Sequence, residues 1–155
     1  MKVEQDSIFK PPSESTIEKL EEWFQVKFPS DYKDWLFSNN GAIPITKTFY
    51  IGDYDRVIER FLPILDDPSN AGDIGWYDID VVASQIDTRL VDDEDIEELN
   101  VIPIAALFAG DFVCLDFRSS ENPKIVVWDH EMSEDFKADL TEVAASFTEF
   151  LSMLE

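Results

Sequence analysis

Three short apolar runs lie between residues 101 and 131, and their spacing limits what the chain can fold into. The runs are VIPI, FVCL and IVVW, and turn-forming residues separate them. Runs of β-branched and aromatic residues that are bounded by such turns predict strands. Residues 112–117 and 124–128 are therefore predicted to pair as an antiparallel hairpin. Because neither run alternates cleanly with polar residues, we expect central strands that are covered on both faces.

Pro103 lies in the first of these runs. Proline has no N–H to donate to a neighbouring strand, so this run is expected at an edge of the sheet, or at an end where the strand begins. Two further strands are predicted over 45–51 and 56–64, because each segment combines β-branched and aromatic residues and a Gly-Asp turn separates them.

Four other segments carry apolar residues at helical spacing. Ser15 and Glu18 have the pattern of a capping box, and Ser30 and Asp78 are of residue types that cap helices. Helices are therefore predicted over 15–24, from Ser30 to the Asn39-Asn40-Gly41 stop, after Asp78, and from Asp139 to Leu154. Because helices and strands do not alternate regularly, the order predicts an α+β fold. We expect one domain over 15–155, preceded by a loose arm at 1–14.

The charge is strongly unbalanced. The 155 residues contain 34 acidic and 12 basic side chains, which gives a formal net charge of -22. Such a surface repels phosphates and anionic lipids, so neither a nucleic acid nor a membrane is predicted as a partner. A basic protein partner is favoured, and the alternative is that the charge only keeps the protein soluble. With no apolar segment typical of a signal peptide or a membrane span, a cytoplasmic protein is expected.

Residues 128–131, with the sequence Trp-Asp-His-Glu, are the best candidates for chemistry. His130 is the one histidine, and Asp129, Asp111 and Asp116 could complete a metal site for a hydrolase. However, neighbouring strand positions point to opposite faces, and no two-histidine zinc motif, nucleophile elbow or phosphate loop occurs. We therefore predict that Trp128 packs in the core while Asp129 and His130 cap the end of the strand. No catalytic residue, metal or cofactor is predicted, and Cys114 is expected to be a small buried hydrophobe.

Two groups of residues are candidates for binding. Tyr32, Trp35, Phe49 and Tyr50 could line a pocket between sheet and helices, although their spacing is more typical of core residues. Residues 92–98 contain six acids in seven positions, and we name this segment the acidic run. Such a run is either a solvated loop or a binding surface.

The motifs, taken in order, resemble the SUKH superfamily, which includes fungal Smi/Knr-type regulators of cell-wall synthesis and bacterial immunity proteins. Three blocks over about 15–154 carry the resemblance. They are Phe28-Pro29 with Asp31-Tyr32, Trp35-Leu36 and Asn40-Gly41; Ile102-Pro103-Ile104-Ala105 with Gly110-Asp111 and Val113-Cys114-Leu115-Asp116; and Val127-Trp128-Asp129-His130-Glu131 with Ser146-Phe147 and Phe150-Leu151. Phe28 departs from the leucine that is usual there.

The resemblance implies a mixed, mainly antiparallel sheet with helices packed against it, and a protein that is not an enzyme. It also implies an immunity protein that neutralises a cognate toxin domain, often a nuclease. The alternatives are a Smi/Knr-like regulator, a small-ligand-binding module or a metal-assisted hydrolase. We expect a monomer or weak dimer. The predicted partner-binding residues are Asp66 and Asp67, the acids of the run (Asp92, Asp93, Glu94, Asp95, Glu97 and Glu98), and the apolar anchors Trp76 and Tyr77.

Overall fold

The computed structural model describes residues 1–96 and 98–155, and it contains a six-stranded sheet in which every pairing is antiparallel. Consecutive strands are neighbours, so the strand order in the sheet is the order along the chain. The strands are β1 (Thr48–Ile51), β2 (Tyr54–Phe61), β3 (Val101–Leu107), β4 (Phe112–Asp116), β5 (Lys124–Trp128) and β6 (Leu140–Ala144).

In the described parts of the chain, four α-helices accompany the sheet, and the α+β class is confirmed. They are α1 (Glu14–Phe24), α2 (Ser30–Asn39), α3 (Ile79–Ile86) and α4 (Phe147–Ser152). Across the described residues, none of the helices combines the length and apolar character that crossing a membrane requires.

Buried residues form two clusters, because the central strands are covered on both faces. Helices α1, α2 and α4 contribute only to the larger cluster, which includes Leu115 and Val127. The smaller cluster contains Cys114 and Trp128. The β4–β5 hairpin and its buried strands are thus confirmed. Trp128 is buried as predicted, but not against the last helix, because alternate positions of β5 point to opposite faces.

Two caps differ from the prediction. Ser13, not Ser15, caps α1, since its hydroxyl accepts the N–H of Thr16. Pro29 is the N-cap of α2, where Ser30 is the first helical residue. Asp78 caps α3 as predicted, by accepting the N–H groups of Asp80 and Val81.

The strand with Pro103 does not lie at an edge, because β3 runs between β2 and β4, and the other predicted alternative, the end where the strand begins, applies. The proline is tolerated for a local reason. Strand β2 pairs with β3 only over residues 105–107, so no β2 residue is paired with Pro103. The register with β4 also shifts between Pro103 and Ala105. Pro103 therefore occupies the part of a central strand where its missing N–H costs least.

The predicted fourth helix is wrong in its first half, since residues 140–144 form β6. The apolar spacing of Leu140, Val143 and Ala144 fits a helix, but here it is produced by a bulged strand. A register shift opposite Ile125 and Val126 places Leu140 beside the smaller cluster and Ala144 in the larger one.

The first twelve residues are not loose. Val3 is buried, and backbone hydrogen bonds join Glu4 to Ile43 and Phe9 to Asn40. The domain boundary at 15–155 stays a prediction.

Tyr32 and Phe49 are core residues, whereas the side chain of Tyr50 is exposed.

Candidate functional site

The acidic run lies between the turn that follows α3 and the start of β3. Asp92, Asp93, Glu94 and Asp95 are all exposed, as is Glu98. Within the run, Asp93 accepts the N–H of Asp95 at 2.9 Å. Glu97, which was also predicted to bind the partner, lies outside the described residues.

Arg118 attaches the first acid of the run to the body of the protein. Its Nε and terminal nitrogen donate to the two carboxylate oxygens of Asp116 at 2.9 and 3.0 Å, and its other terminal nitrogen donates to Asp92 at 2.8 Å. Asp116 is buried at the end of β4. The hydrogen bonds that Arg118 donates to Asp116 raise the pKa of Arg118 above its ordinary value. The guanidinium therefore bridges a buried carboxylate and the run.

A second attachment holds the chain just before the run. The indole N–H of Trp128 donates to the carbonyl of Arg89 at 2.8 Å, and the Arg89 guanidinium lies 5.1 Å from the centre of the Trp128 ring. Arg89 also donates to the carbonyls of His130 and Ser133. Since the next residue, Leu90, is buried in the smaller cluster, the run leaves the protein from a fixed position.

Asp66, which was grouped with the run as a binding residue, has a different environment. It accepts the Ser13 N–H at 3.1 Å and the hydroxyls of Ser13 and Thr16 at 3.0 and 2.7 Å, and Lys10 lies 3.4 Å away. The hydrogen bond from Thr16 and those from Ser13 lower the pKa of Asp66 well below its usual range. We name this arrangement of Lys10, Ser13, Thr16 and Asp66 the Asp66 corner.

Asp67, the neighbouring acid, accepts hydrogen bonds from Ser69 and Asn70, and these lower its pKa. Both acids are therefore engaged by the chain itself. Their role in binding a partner stays a prediction.

Trp76 and Tyr77 lie just before α3, whereas the acidic run follows the C-terminal end of that helix. Trp76 is 66 % exposed, and Tyr77 donates to Glu59 at 3.0 Å with Arg60 5.5 Å from its ring centre. Together with Phe108 they line a small groove that contains no residue of the run. Trp76 and Tyr77 therefore line a different groove from Ile96 and Glu98, and their role as anchors stays a prediction.

Two other apolar side chains lie beside the run and were missed. Trp23, near the end of α1, is 72 % exposed, and Ile96 within the run is 42 % exposed. Both line a groove of about 640 Å³ with Glu98. The spacing of apolar residues in α1 already indicates that Trp23 is exposed. At 100° per residue it lies about 100° away from the stripe of Ile17, Leu20 and Phe24, so it does not share their buried face.

The residues proposed for a metal site are only partly brought together. One ligand atom each from Asp111, Asp129 and His130 lies within 4.8 Å of the others. Asp111 accepts from the His130 ring at 2.7 Å and from the His130 backbone N–H at 3.0 Å, and Asp129 accepts the N–H groups of Glu131 and Met132. Asp116 is instead paired with Arg118. The side chains thus cap the exit of β5, as predicted for Asp129 and His130.

The chain was compared with known proteins. The family model described as SMI1 / KNR4 family (SUKH-1) matches residues 11–153. A similar protein is the SPbeta prophage-derived uncharacterized protein YokK of Bacillus subtilis (strain 168). It is 33% identical over 153 residues, which covers 92% of this chain and 76% of that protein.

Proposed function

Because this chain belongs to the SMI1 / KNR4 family (SUKH-1), we propose that it is a non-enzymatic binding domain of the immunity type. In this proposal it neutralises a cognate toxin domain, a basic nuclease, in the cytoplasm of the cell that produces both. It acts as a monomer or weak dimer. The observation that carries the proposal is the acidic run, a group of exposed carboxylates whose first member, Asp92, pairs with Arg118 and which follows the Arg89–Trp128 contact.

Electrostatics support a basic partner. A nuclease has to be positively charged where it meets the phosphates of its substrate. A protein with a formal net charge of -22 and a dense group of exposed carboxylates is complementary to such a surface. Long-range attraction of this kind speeds association and weakens as salt is added.

The fixed position of the run supports a role in recognition. Carboxylates that are close together in the sequence repel one another, and this repulsion favours many different conformations of the run. Anchoring the run through Arg89 and Asp92 limits that spread, so less conformational entropy is lost when a partner binds. A basic partner would also relieve the repulsion among the carboxylates.

The test is co-expression with the toxin that is encoded beside this protein, together with measured association rates at low and high salt. Asp92 is left unchanged because Arg118 uses it. The variant neutralises four exposed acids of the run: Asp93→Asn, Glu94→Gln, Asp95→Asn and Glu98→Gln. The control neutralises four exposed acids elsewhere and so changes the net charge equally: Asp6→Asn, Asp53→Asn, Asp55→Asn and Glu131→Gln.

We expect the run variant to associate about tenfold more slowly at low salt and to show a flatter salt dependence than the control. It should also protect cells less well. If both variants associate equally fast, the run is only a solvated loop. The His130→Ala variant should protect cells as well as the wild type does, and a loss of protection at intact binding would contradict the non-enzymatic proposal.

A further inference from the structure

The Trp23 groove is the concave surface next to the acidic run, between the C-terminal ends of α1 and α3. The lining residues used below are Glu22, Trp23, Gln25, Asp87, Glu98 and Phe136. The lining also contains Lys19, so among the described residues its acids outnumber its bases by three to one. Its volume of about 640 Å³ is sufficient for one or two side chains of a partner.

The groove is negative for two reasons. Glu22, Asp87 and Glu98 are exposed, and none of the three belongs to an ion pair within the described part of the chain. The C-terminal ends of helices carry partial negative charge, and the last turns of α1 and α3 contain no basic residue to offset it. A cation is therefore the complementary occupant.

Trp23 gives the groove an exposed π-face beside these carboxylates. Its indole is 72 % exposed, and in the portion of the chain that the structure covers no cation lies over its ring. An arginine side chain suits such a place, because a guanidinium stacks flat on an indole while its edge donates to carboxylates. Inside the protein, the Arg89 guanidinium lies 5.1 Å from the centre of the Trp128 ring and donates to the carbonyls of His130 and Ser133.

The walls of the groove are held in place. Gln25 and Phe136, which both line it, have positive φ angles of 55° and 60°. Residues other than glycine rarely adopt this backbone conformation, so contacts with the rest of the protein must maintain it. Phe136 is held by its N–H, which donates to the Thr88 carbonyl at 2.7 Å. The groove is thus largely formed before a partner arrives.

We infer that the Trp23 groove receives an arginine-bearing segment of the basic partner, with the guanidinium stacked on Trp23 and paired with Glu22 or Glu98. This inference rests on the proposed function and specifies where the partner is anchored. Trp23, rather than Trp76, is then the residue that sets the dissociation rate.

The test compares Trp23→Ala with Trp76→Ala, because the two tryptophans are similarly exposed, at 72 % and 66 %. Both variants should unfold at the same denaturant concentration as the wild type. We expect Trp23→Ala to weaken binding of the neighbouring toxin about tenfold, mainly through faster dissociation, and Trp76→Ala to change it less than twofold. Trp23→Phe, which keeps a π-face, should recover part of the loss.

A second measurement does not depend on the toxin. Tetra-arginine amide and tetra-lysine amide are titrated at low salt while tryptophan fluorescence is recorded. The wild type and Trp76→Ala should bind the arginine peptide about threefold more tightly than the lysine peptide, and Trp23→Ala should lose this preference. An equal preference in all three proteins would overturn the inference.

The outcomes separate the two proposals. If the run variant loses toxin binding while Trp23→Ala retains it, the groove inference fails and the proposed function stands. If the toxin does not bind the wild type at all, the proposed function fails, and the inference about the groove falls with it.

Discussion

The Asp66 corner contains one exposed carboxylate and the acidic run contains several, and the two regions differ in the hydrogen-bond donors that the rest of the chain supplies. Asp66 has three hydrogen-bond donors from Ser13 and Thr16, with Lys10 close by. In the run, Arg118 pairs with Asp92, and the next three acids belong to no ion pair within the described residues. The Asp66 corner joins the start of α1 to the segment before α3 through hydrogen bonds, whereas the acidic run exposes its carboxylates to solvent.

The comparison teaches that the role of a surface carboxylate depends on its donors. An acid whose oxygen lone pairs already accept hydrogen bonds from the chain stabilises the fold and has few acceptor sites left for a partner. An acid that keeps them open adds repulsion to the free protein and can gain from a partner that supplies the donors. Three predictions test this difference, beginning with the one expected to have the largest effect.

Trp128→Ala should remove the support from which the run leaves the protein. The buried ring and its hydrogen bond to Arg89 are both lost, so we expect the free energy of unfolding to fall by about 3–5 kcal/mol. Urea unfolding measures the change. The exposed Trp76 provides the control, and Trp76→Ala should change stability by less than about 0.5 kcal/mol. An unchanged midpoint for Trp128→Ala would show that the attachment contributes nothing.

Arg118→Ala should release the first acid of the run and leave the buried carboxylate of Asp116 without its charged partner. We expect a loss of about 1–3 kcal/mol, together with faster amide hydrogen exchange in residues 92–95. Lys124→Ala breaks an exposed ion pair with Glu142 and should cost less than about 1 kcal/mol. Unchanged exchange in the run would mean that Arg118 does not hold it.

Asp66→Asn should be the smallest of the three changes, with a loss of about 0.5–1 kcal/mol at pH 6, because the carboxylate is partly exposed. Its pKa is lower in the folded protein than in the unfolded chain, so its contribution is present above the unfolded value of about 3.9 and is lost as the pH falls below it. The wild type should therefore lose more stability between pH 5 and pH 2 than Asp66→Asn does.

Two variants complete this pH experiment. Asp73→Asn, at an exposed acid with no side-chain hydrogen bond among the described residues, should follow the wild type. The four-site variant of the acidic run should be at least as stable as the wild type at pH 6 and low salt, because repulsion decreases. A loss of stability in that variant would remove the distinction between the two groups of acids.

Local patterns predicted much of the fold because they reflect local physics. The β4–β5 hairpin, α1 and the Asp78 cap each depend on residues within a short stretch of chain. The segment at 140–144 was mistaken for a helix because its spacing fits both a helix and a bulged strand. Only pairing with β5 distinguishes the two, and that partner lies more than ten residues away.

The candidate site was less predictable than the fold. The density of acids pointed to the run, but not to the side chains around it. Trp23 is apolar and lies within the predicted first helix, but its angular position on α1 leaves it exposed. Trp76 is predicted as an apolar anchor beside the run, and α3 lies between the two in the chain.

The sequence by itself determined the α+β class, the family, the negative charge and the exposure of the acidic run, because each follows from composition or short-range pattern. Only the tertiary structure decided which acids the chain engages and which it leaves open. Ser13 meets Asp66 across 53 positions and Arg118 meets Asp92 across 26. Hydrogen bonds across such separations exist only after the sheet and helices have packed, so no local pattern can contain them.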